Sequence, residues 1–250
     1  MKGTALVTGA GRRLGAAMAK ALAADGWRIV VHCNAARAGA EAVVAEIEAA
    51  GGAAEVVQCD LAEDGGIEPL VRAIAARHRD WRLLVNSAAL FEHDSADAID
   101  LAKWERAMAV NARAPARLAE LFVRHTMGHD RRIVTILDQQ LDNHNPDFFS
   151  YSAAKAALRE AFHMQAMAFA PLGVGMYAIA PGMILPSIGQ DEAAFDRSAR
   201  LNAFGRRTKA GELTDLLCFL ASADVATGQI FHCDSGQHLV PQDRDVLFLG

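Results

Sequence analysis

The chain has 250 residues, 52% of them hydrophobic and 22% charged, and its 25 basic and 30 acidic side chains give a formal net charge of −5. A compact chain of this size buries about three-quarters of the surface that it exposes when unfolded, which is enough for a real hydrophobic core. The charge balance argues against binding nucleic acid through a basic face, which needs a concentrated positive surface.

Short apolar runs alternate with longer Ala-rich amphipathic segments along the whole chain. The runs lie at 5–7, 28–31, 55–57, 83–85, 133–136, 174–179 and 229–232, and the predicted helices at 15–25, 37–50, 63–79, 100–127, 151–170 and 210–222. Strands that are apolar without alternation are covered on both faces, as parallel strands are. The pattern predicts a single α/β domain over residues 1–250: a Rossmann fold with a doubly wound, seven-stranded parallel sheet, helices on both faces, and ligands at the carboxyl ends of its strands.

Two polar, Pro-containing segments interrupt the alternation. Residues 139–149 follow the fifth strand and residues 183–205 follow the sixth, so both leave the edge of the sheet where ligands bind. We expect 183–205 to be a loop that covers the substrate; the alternative for either segment is an ordinary surface loop.

A glycine-rich turn joins the first strand to the first helix. It reads Thr8-Gly9-Ala10-Gly11-Arg12-Arg13-Leu14-Gly15. Glycines at such a turn let the backbone approach a pyrophosphate, and the helix N-terminus offers unpaired N–H groups to it. The turn predicts a dinucleotide site, and Arg12 is expected to meet a phosphate.

The end of the second strand indicates which dinucleotide binds. A site for NAD usually has an acidic residue there that bonds the ribose 2′-hydroxyl. Here the strand is followed by Asn34, Ala35, Ala36 and Arg37, with no carboxylate before Glu41. His32 and Asn34 offer polar groups instead, so the sequence favours NADPH over NADH.

Tyr151 and Lys155 are four residues apart at the start of a predicted helix, and therefore on one helical face. A neighbouring ammonium group lowers the pKa of a phenol, so we expect Tyr151 to exchange a proton near neutral pH.

Three further motifs accompany the glycine turn and the Tyr151-Lys155 pair: Asn86-Ser87-Ala88-Ala89 after the fourth strand, Asn111 in the following helix, and Pro181-Gly182 after the sixth strand. Together these motifs resemble the short-chain dehydrogenase/reductase family over essentially the whole chain. The resemblance implies that Tyr151 donates a proton, that Lys155 assists it and bonds the nicotinamide ribose, and that Asn111 holds a water in the proton relay. It implies further cofactor contacts from the glycine turn and from the ends of the strands: Gly9, Arg12, Arg13, Leu14, His32, Asn34, Asp60, Leu61, Asn86, Ser87, Ala88, Pro181 and Gly182.

Two departures from the family pattern resemble its pteridine reductase branch, which includes dihydromonapterin and dihydrofolate reductases. Asp138 stands 13 positions before Tyr151, where the family usually has serine, and Arg13 replaces a glycine. His32 also matches the branch, and Phe91 matches a phenylalanine that stacks on the pterin. In the resemblance Arg13 reaches the substrate or a phosphate. The branch's Arg-Ser pair after the second strand is Ala35-Ala36 here.

The chemistry of Asp138 points the same way. A serine hydroxyl can donate to a carbonyl that is becoming an alkoxide, whereas an ionised carboxylate only accepts hydrogen bonds. Asp138 therefore suits a substrate that presents N–H donors or becomes cationic, although a protonated Asp138, or one that only orients Tyr151, stays open. The hypothesis is NADPH-dependent reduction of a C=N bond in a pterin. The alternatives are a carbonyl (keto) reductase and a non-catalytic regulator that senses NADP(H).

The remaining expectations concern compartment and assembly. Four cysteines without C-x-x-C spacing favour a reducing compartment and no metal site, and the apolar run after Met1 is too short for a signal peptide or a membrane span. We therefore expect a cytoplasmic protein with a small-molecule substrate and no membrane or nucleic-acid partner. The family resemblance implies a homotetramer, and the apolar tail from Ser235 to Gly250 could cover a neighbour's pocket.

Overall fold

The structure is a computed structural model that describes residues 1–187 and 189–249. Its seven strands form one parallel sheet in the order β3-β2-β1-β4-β5-β6-β7. The strands are β1 (Thr4–Val7), β2 (Arg28–Cys33), β3 (Ala53–Gln58), β4 (Trp81–Asn86), β5 (Arg131–Ile136), β6 (Val174–Pro181) and β7 (Gln229–Cys233). The strand order reverses between β1 and β4, and ligands bind at such a switch point, outside the carboxyl ends of the strands. The predicted fold class is confirmed.

Helices cover both faces of the sheet. They are α1 (Arg13–Ala24), α2 (Arg37–Ala49), α3 (Asp64–Arg77), α4 (Leu101–Ala107), α5 (Ala114–His125), α6 (Phe149–Phe169), α7 (Glu192–Ala199) and α8 (Ala210–Ser222). Successive strand residues enter opposite cores: Val7 packs with Met18 of α1 and Leu217 of α8, whereas Leu6 packs in the core that contains Phe122 and Phe162 of α5 and α6. Burial on both faces explains why these strands are apolar without alternation.

The predicted helix 100–127 is not one regular helix. A π-helical segment, Met108–Arg113, separates α4 from α5, and the Ala114 amide bonds the Ala109 carbonyl, five residues back. Pro115 has no amide hydrogen and cannot give the α-helical bond to the Asn111 carbonyl, which favours a wider turn at this point.

The expectation that 183–205 is a loop throughout is wrong, because α7 lies within it; Ile188, also in this segment, lies outside the described residues. The Asp191 side chain caps α7 by accepting a hydrogen bond from the Ala194 amide at 2.8 Å. Phe195 and Ala199, four residues apart, are buried. An N-cap and one apolar face are sufficient for a short helix packed on the domain.

Residues 139–149 are not an ordinary surface loop either. A short 3₁₀ helix, Gln139–Leu141, opens the segment, and the Asn143 side chain bonds the Gln237 and Val240 carbonyls at 3.2 and 2.8 Å. The segment thus packs against the part of the chain that follows β7.

Across residues 1–187 and 189–249, none of the helices combines the length and the apolar character that a bilayer crossing requires. Within the same ranges, no group of three or more His, Cys, Asp or Glu side chains is arranged to hold a metal ion.

Candidate active site

The glycine turn is packed tightly against the end of β4. Gly9 has a φ of +67°, and a Cβ added to it would lie 2.8 Å from the Ala88 Cα; one added to Gly15 would lie 2.3 Å from the Gly9 carbonyl oxygen. Both positions therefore require glycine. Helix α1 starts within this turn, at Arg13, and no side chain caps its N-terminus. Its first amide groups are thus left to bind an anion at the edge of the sheet.

The Thr8 hydroxyl ties the turn to β4. It accepts hydrogen bonds from the Ser87 and Ala88 amides at 2.9 and 3.0 Å. The Asn86 side chain is buried beside them and donates to the Pro115 carbonyl at 3.3 Å. The predicted contacts Asn86, Ser87 and Ala88 therefore lie beside the glycine turn. Thr8 was not among the predicted site residues, although it directly precedes Gly9.

His32 lies beneath the glycine turn. Its side chain is 1% exposed; Nδ1 accepts from the Gly9 amide at 3.2 Å, and Nε2 lies 3.0 Å from the Cys59 carbonyl. Burial lowers the pKa of His32 to about 4, so the ring is neutral and Nε2–H donates to the carbonyl. Both nitrogens are engaged within the protein, so His32 positions the turn.

The ends of β2 and β3 border the same edge. Asn34 is exposed, and its carbonyl accepts from the Gln58 side chain at 2.7 Å. Asp60 is also exposed and caps the Ala62 amide at 2.9 Å, whereas Leu61 is 4% exposed and belongs to the core. Asn34 and Asp60 are therefore accessible to a nucleotide, whereas the side chain of the predicted contact Leu61 is buried.

Arg13 connects the glycine turn with the segment after β6. It has a φ of +52°, a left-handed conformation unusual for a residue with a side chain, and its Nη2 donates to the Pro186 carbonyl at 2.8 Å. Arg12 is exposed at the N-cap of α1, and Leu14 packs against the core. The left-handed backbone occurs where the family usually has glycine.

Pro181 ends β6, and Gly182 follows it against the turn after β7. A Cβ on Gly182 would lie 2.6 Å from the Gln237 side chain and 2.7 Å from Asp234. The backbone passes here without room for a side chain.

Asp138 and Tyr151 form a direct pair. The Tyr151 hydroxyl donates to Asp138 Oδ2 at 2.6 Å, and Asp138 Oδ1 accepts from the Gln140 amide at 2.9 Å. Burial raises the pKa of Asp138. Burial, together with the charge and the hydrogen bond of Asp138, raises the pKa of Tyr151 well above its usual value of 10.

Lys155 lies one turn further along α6. It is 3% exposed, its Nζ donates to the Ile136 carbonyl at the end of β5 at 2.6 Å, and burial lowers its pKa to about 8. Nζ is 5.8 Å from the centre of the Tyr151 ring. The expectation that Lys155 lowers the pKa of Tyr151 is wrong in this arrangement, because burial and the carboxylate of Asp138 outweigh the ammonium.

The Asn111 side chain forms a pair of hydrogen bonds with one backbone residue. Its Oδ1 accepts from the Leu90 amide and its Nδ2 donates to the Leu90 carbonyl, both at 2.8 Å, and the side chain is 0% exposed. The expected water-holding role of Asn111 stays a prediction. The pair of hydrogen bonds anchors the segment that leads to Phe91.

Phe91 is 47% exposed beside the Asp138–Tyr151 pair. Its ring stacks on Phe148 at 4.0 Å between centroids and meets the Tyr151 ring edge-to-face at 4.7 Å. A half-exposed ring at this position offers a stacking surface next to the Tyr151 hydroxyl.

A buried carboxylate that the sequence analysis missed fixes the start of α6. Asp94 Oδ1 accepts from the Ser150 amide at 2.9 Å, and Asp94 Oδ2 accepts from the Ser150 hydroxyl. Asp94 thereby joins the segment that carries Phe91 to the helical turn that carries Tyr151. Its separation from Ser150 in sequence gives no local signal of this contact.

Comparison with known proteins agrees with this geometry. The sequence profile of the short chain dehydrogenase family matches residues 3–196. The chain belongs to this family.

Solved and curated relatives cover nearly the whole chain. FolM alternative dihydrofolate reductase 1 from Brucella suis, solved in complex with NADP, is 37% identical with a TM-score of 0.89 and 96% coverage of both chains. The angucycline C-6 ketoreductase LanV, solved with bound NADP, is 27% identical with a TM-score of 0.87, over 95% of this chain and 96% of that one. A 3-oxoacyl-[acyl-carrier-protein] reductase of Synechocystis is 32% identical over 247 residues, which cover 93% of this chain and 95% of the relative.

Proposed function

We propose that the protein is an NADPH-dependent reductase that transfers a hydride to a C=N bond of a pteridine-type substrate of the dihydropterin or dihydrofolate class, with Tyr151 as proton donor. The observation that carries this proposal is the Asp138 carboxyl group 2.6 Å from the Tyr151 hydroxyl, where the family usually has an alcohol.

NADP(H) is the cofactor, and when bound as NADPH it supplies the hydride. The uncapped N-terminus of α1 fits its phosphates, and Gly9 and Gly15 let the backbone of the turn close tightly beneath them. The exposed Asn34 and Arg12 carry no negative charge that would repel a 2′-phosphate. In this proposal Lys155 of α6, whose Nζ lies at the end of β5, bonds the nicotinamide ribose.

The raised pKa of Tyr151 keeps the phenol protonated at neutral pH, so the proton to be transferred is present. Its proton is held on the Asp138 side of the ring. A substrate nitrogen that takes this proton leaves a phenolate oxygen, which solvent reprotonates before the next turnover.

Asp138 and Phe91 together suit a flat nitrogen heterocycle. A carboxylate accepts from N–H donors such as those on the amino-pyrimidinone edge of a pterin, and it repels a growing alkoxide. The half-exposed Phe91 ring offers a face to an aromatic bicycle. The likeness to the FolM alternative dihydrofolate reductase of Brucella suis supports this substrate class.

The test measures NADPH oxidation with dihydrobiopterin, dihydrofolate and a panel of diketones. Tyr151→Phe is expected to lose about 100-fold or more in turnover while its Kd for NADPH stays within about twofold. Asp138→Ser is expected to shift the preference from pterins toward ketones. A Tyr151→Phe variant that retains activity on every pterin would rule out this proton route, and an unchanged preference in Asp138→Ser would contradict the charge argument.

Keto reduction is the second candidate, because the LanV and Synechocystis relatives are named for that chemistry. It predicts that wild-type enzyme reduces diketones and leaves both pterins untouched. Binding of NADP(H) without turnover of any substrate would instead favour a non-catalytic regulator that senses NADP(H).

We also propose a homotetramer in which α5 and α6 contribute to subunit contacts. Small side chains line a groove between the π-helical segment with α5 and the middle of α6, among them Ala109, Ala112, Ala116, Ala157 and Ala161. Small residues allow close approach of helices from a second copy. Light scattering after gel filtration measures the assembly, and a monomeric mass would refute this part of the proposal.

A further inference from the structure

The carboxyl-terminal segment, residues 244–248, lies against rings that adjoin Tyr151. Phe248 stacks nearly parallel to Phe148, with centroids 6.0 Å apart, and meets the His93 ring edge-to-face at 5.2 Å. The segment packs on its own chain, the expectation that the tail covers a neighbour's pocket stays a prediction, and Gly250 lies outside the described residues. We call Phe91, His93, Phe148 and Phe248 the aromatic cluster.

The cluster is continuous with the catalytic tyrosine. Phe91 meets Tyr151 at 4.7 Å and stacks on Phe148 at 4.0 Å with 16° between the planes. Phe148 is 3% exposed and therefore fixed, while Phe248 is 46% exposed. Phe248 is therefore the outermost ring in a row of aromatic contacts that starts at Tyr151.

A buried carboxylate holds the segment in place. Asp147 is 2% exposed and accepts two hydrogen bonds from the Arg244 guanidinium, at 2.7 and 2.9 Å. It also accepts from the Asp245 amide at 2.9 Å. The Arg244 side chain holds the pKa of Asp147 below its usual range. A bidentate pair of this kind fixes orientation as well as position.

The segment also touches the helix that follows β6. Its short 3₁₀ helix, Val246–Phe248, packs against α7, and Val246 is buried. Asp245 caps this turn through the Leu247 amide at 2.9 Å, and burial raises the pKa of Asp245 to about 6. The segment thus bridges the aromatic cluster and α7, the two sides between which a substrate over Phe91 would project.

We propose that the carboxyl-terminal segment is a wall of the substrate pocket, in which Phe248 is a specificity-determining residue and the Arg244–Asp147 pair is its positioning device. The identity of the substrate in this inference rests on the proposed function. A bicyclic ring over Phe91 directs its substituent past Phe248, so the bulk of that substituent is what Phe248 limits.

The first test compares kcat/KM for dihydrofolate, which carries a long substituent, with that for dihydrobiopterin, which carries a short one. Phe248→Ala is expected to raise the dihydrofolate-to-dihydrobiopterin ratio about fivefold, through added room for the long substituent and loss of ring contacts for the short one. Leu249→Ala is the matched control, because Leu249 is also 46% exposed and is not part of the ring cluster. Its ratio is expected to stay within about twofold of wild type.

The second test concerns the positioning pair and has a readout besides turnover. Arg244→Ala is expected to raise KM and the calorimetric Kd of the pterin in the presence of NADP⁺ by about fivefold, with kcat and the Kd for NADP⁺ within about twofold. Hydrogen exchange at residues 244–248 should accelerate. Arg244→Lys keeps the charge without the bidentate geometry and should restore part of the loss.

The outcomes separate this inference from the proposed function. Wild-type enzyme that turns over no pterin refutes the proposed function, and the ratio is then measured between a one-ring and a multi-ring diketone. A Phe248→Ala ratio within twofold of wild type on the accepted substrates would overturn the inference. So would unchanged hydrogen exchange in Arg244→Ala.

Discussion

Replacing Asp138 by Asn tests whether the carboxylate controls the acidity of Tyr151. The substitution keeps the shape of the side chain and an acceptor for the Gln140 amide, but removes the negative charge 2.6 Å from the phenol. A hydrogen bond to a charged group is worth about 1.5–3 kcal/mol and a neutral one about 1 kcal/mol. The difference of about 0.5–2 kcal/mol corresponds, at 1.36 kcal/mol per pH unit, to an expected fall of about 0.4–1.5 pH units in the pKa of Tyr151.

The assay exploits the tyrosine content of the chain, which is two. In a Tyr177→Phe background, phenolate absorbance reports on Tyr151 alone. Tyr177 donates one hydrogen bond, to the Val225 carbonyl at 2.8 Å, so this background costs about 1 kcal/mol of stability. Circular dichroism at each pH confirms that the protein remains folded. A pKa that is unchanged or higher after Asp138→Asn would refute the reasoning.

Two further predictions concern residues that position the site. Asn111→Ala leaves the amide and carbonyl of Leu90 without their side-chain partners. The free energy of unfolding, measured by urea titration, is expected to fall by about 2–4 kcal/mol. A loss below about 0.5 kcal/mol would show that the Asn111–Leu90 hydrogen bonds do not stabilise the fold. Because the pKa of His32 falls from 6.5 to about 4 on folding, its contribution to stability is intact above pH 6.5 and is lost progressively as the pH falls toward 4, by about 3 kcal/mol. Unfolding of His32→Gln should therefore depend less on pH between 6.5 and 4, and an equal slope in both proteins would show that other groups are responsible.

The fold was predictable because its determinants are local and repeated. Each strand is a short apolar run such as 83–85, and each is followed by a longer amphipathic segment, so the chain alternates in the way that only a parallel sheet accommodates. Tyr151 and Lys155 share a helical face at a spacing that the sequence displays directly. The glycine turn was predictable for the same reason, because its residues are contiguous in the sequence.

The contacts that set the chemistry were not predictable from spacing. The separation of Asp138 from Tyr151 spans a 3₁₀ turn and an irregular segment, so their 2.6 Å contact was anticipated only through a family resemblance. Asp94 reaches Ser150, and Asp147 reaches Arg244, across long stretches of chain. Such pairs are decided by tertiary packing, which no local pattern records.

The sign of the pKa shift at Tyr151 follows from that packing as well. Lys155 taken alone would make the phenol more acidic, but its ammonium is held by the Ile136 carbonyl, whereas Asp138 bonds the hydroxyl itself. Burial and the nearer negative charge therefore raise the pKa of Tyr151, and the phenol stays protonated. Exchanging one alcohol for one carboxylate thus keeps the proton on the tyrosine but makes the phenol a weaker acid, so that it donates more readily to a basic acceptor such as an imine nitrogen than to a carbonyl oxygen.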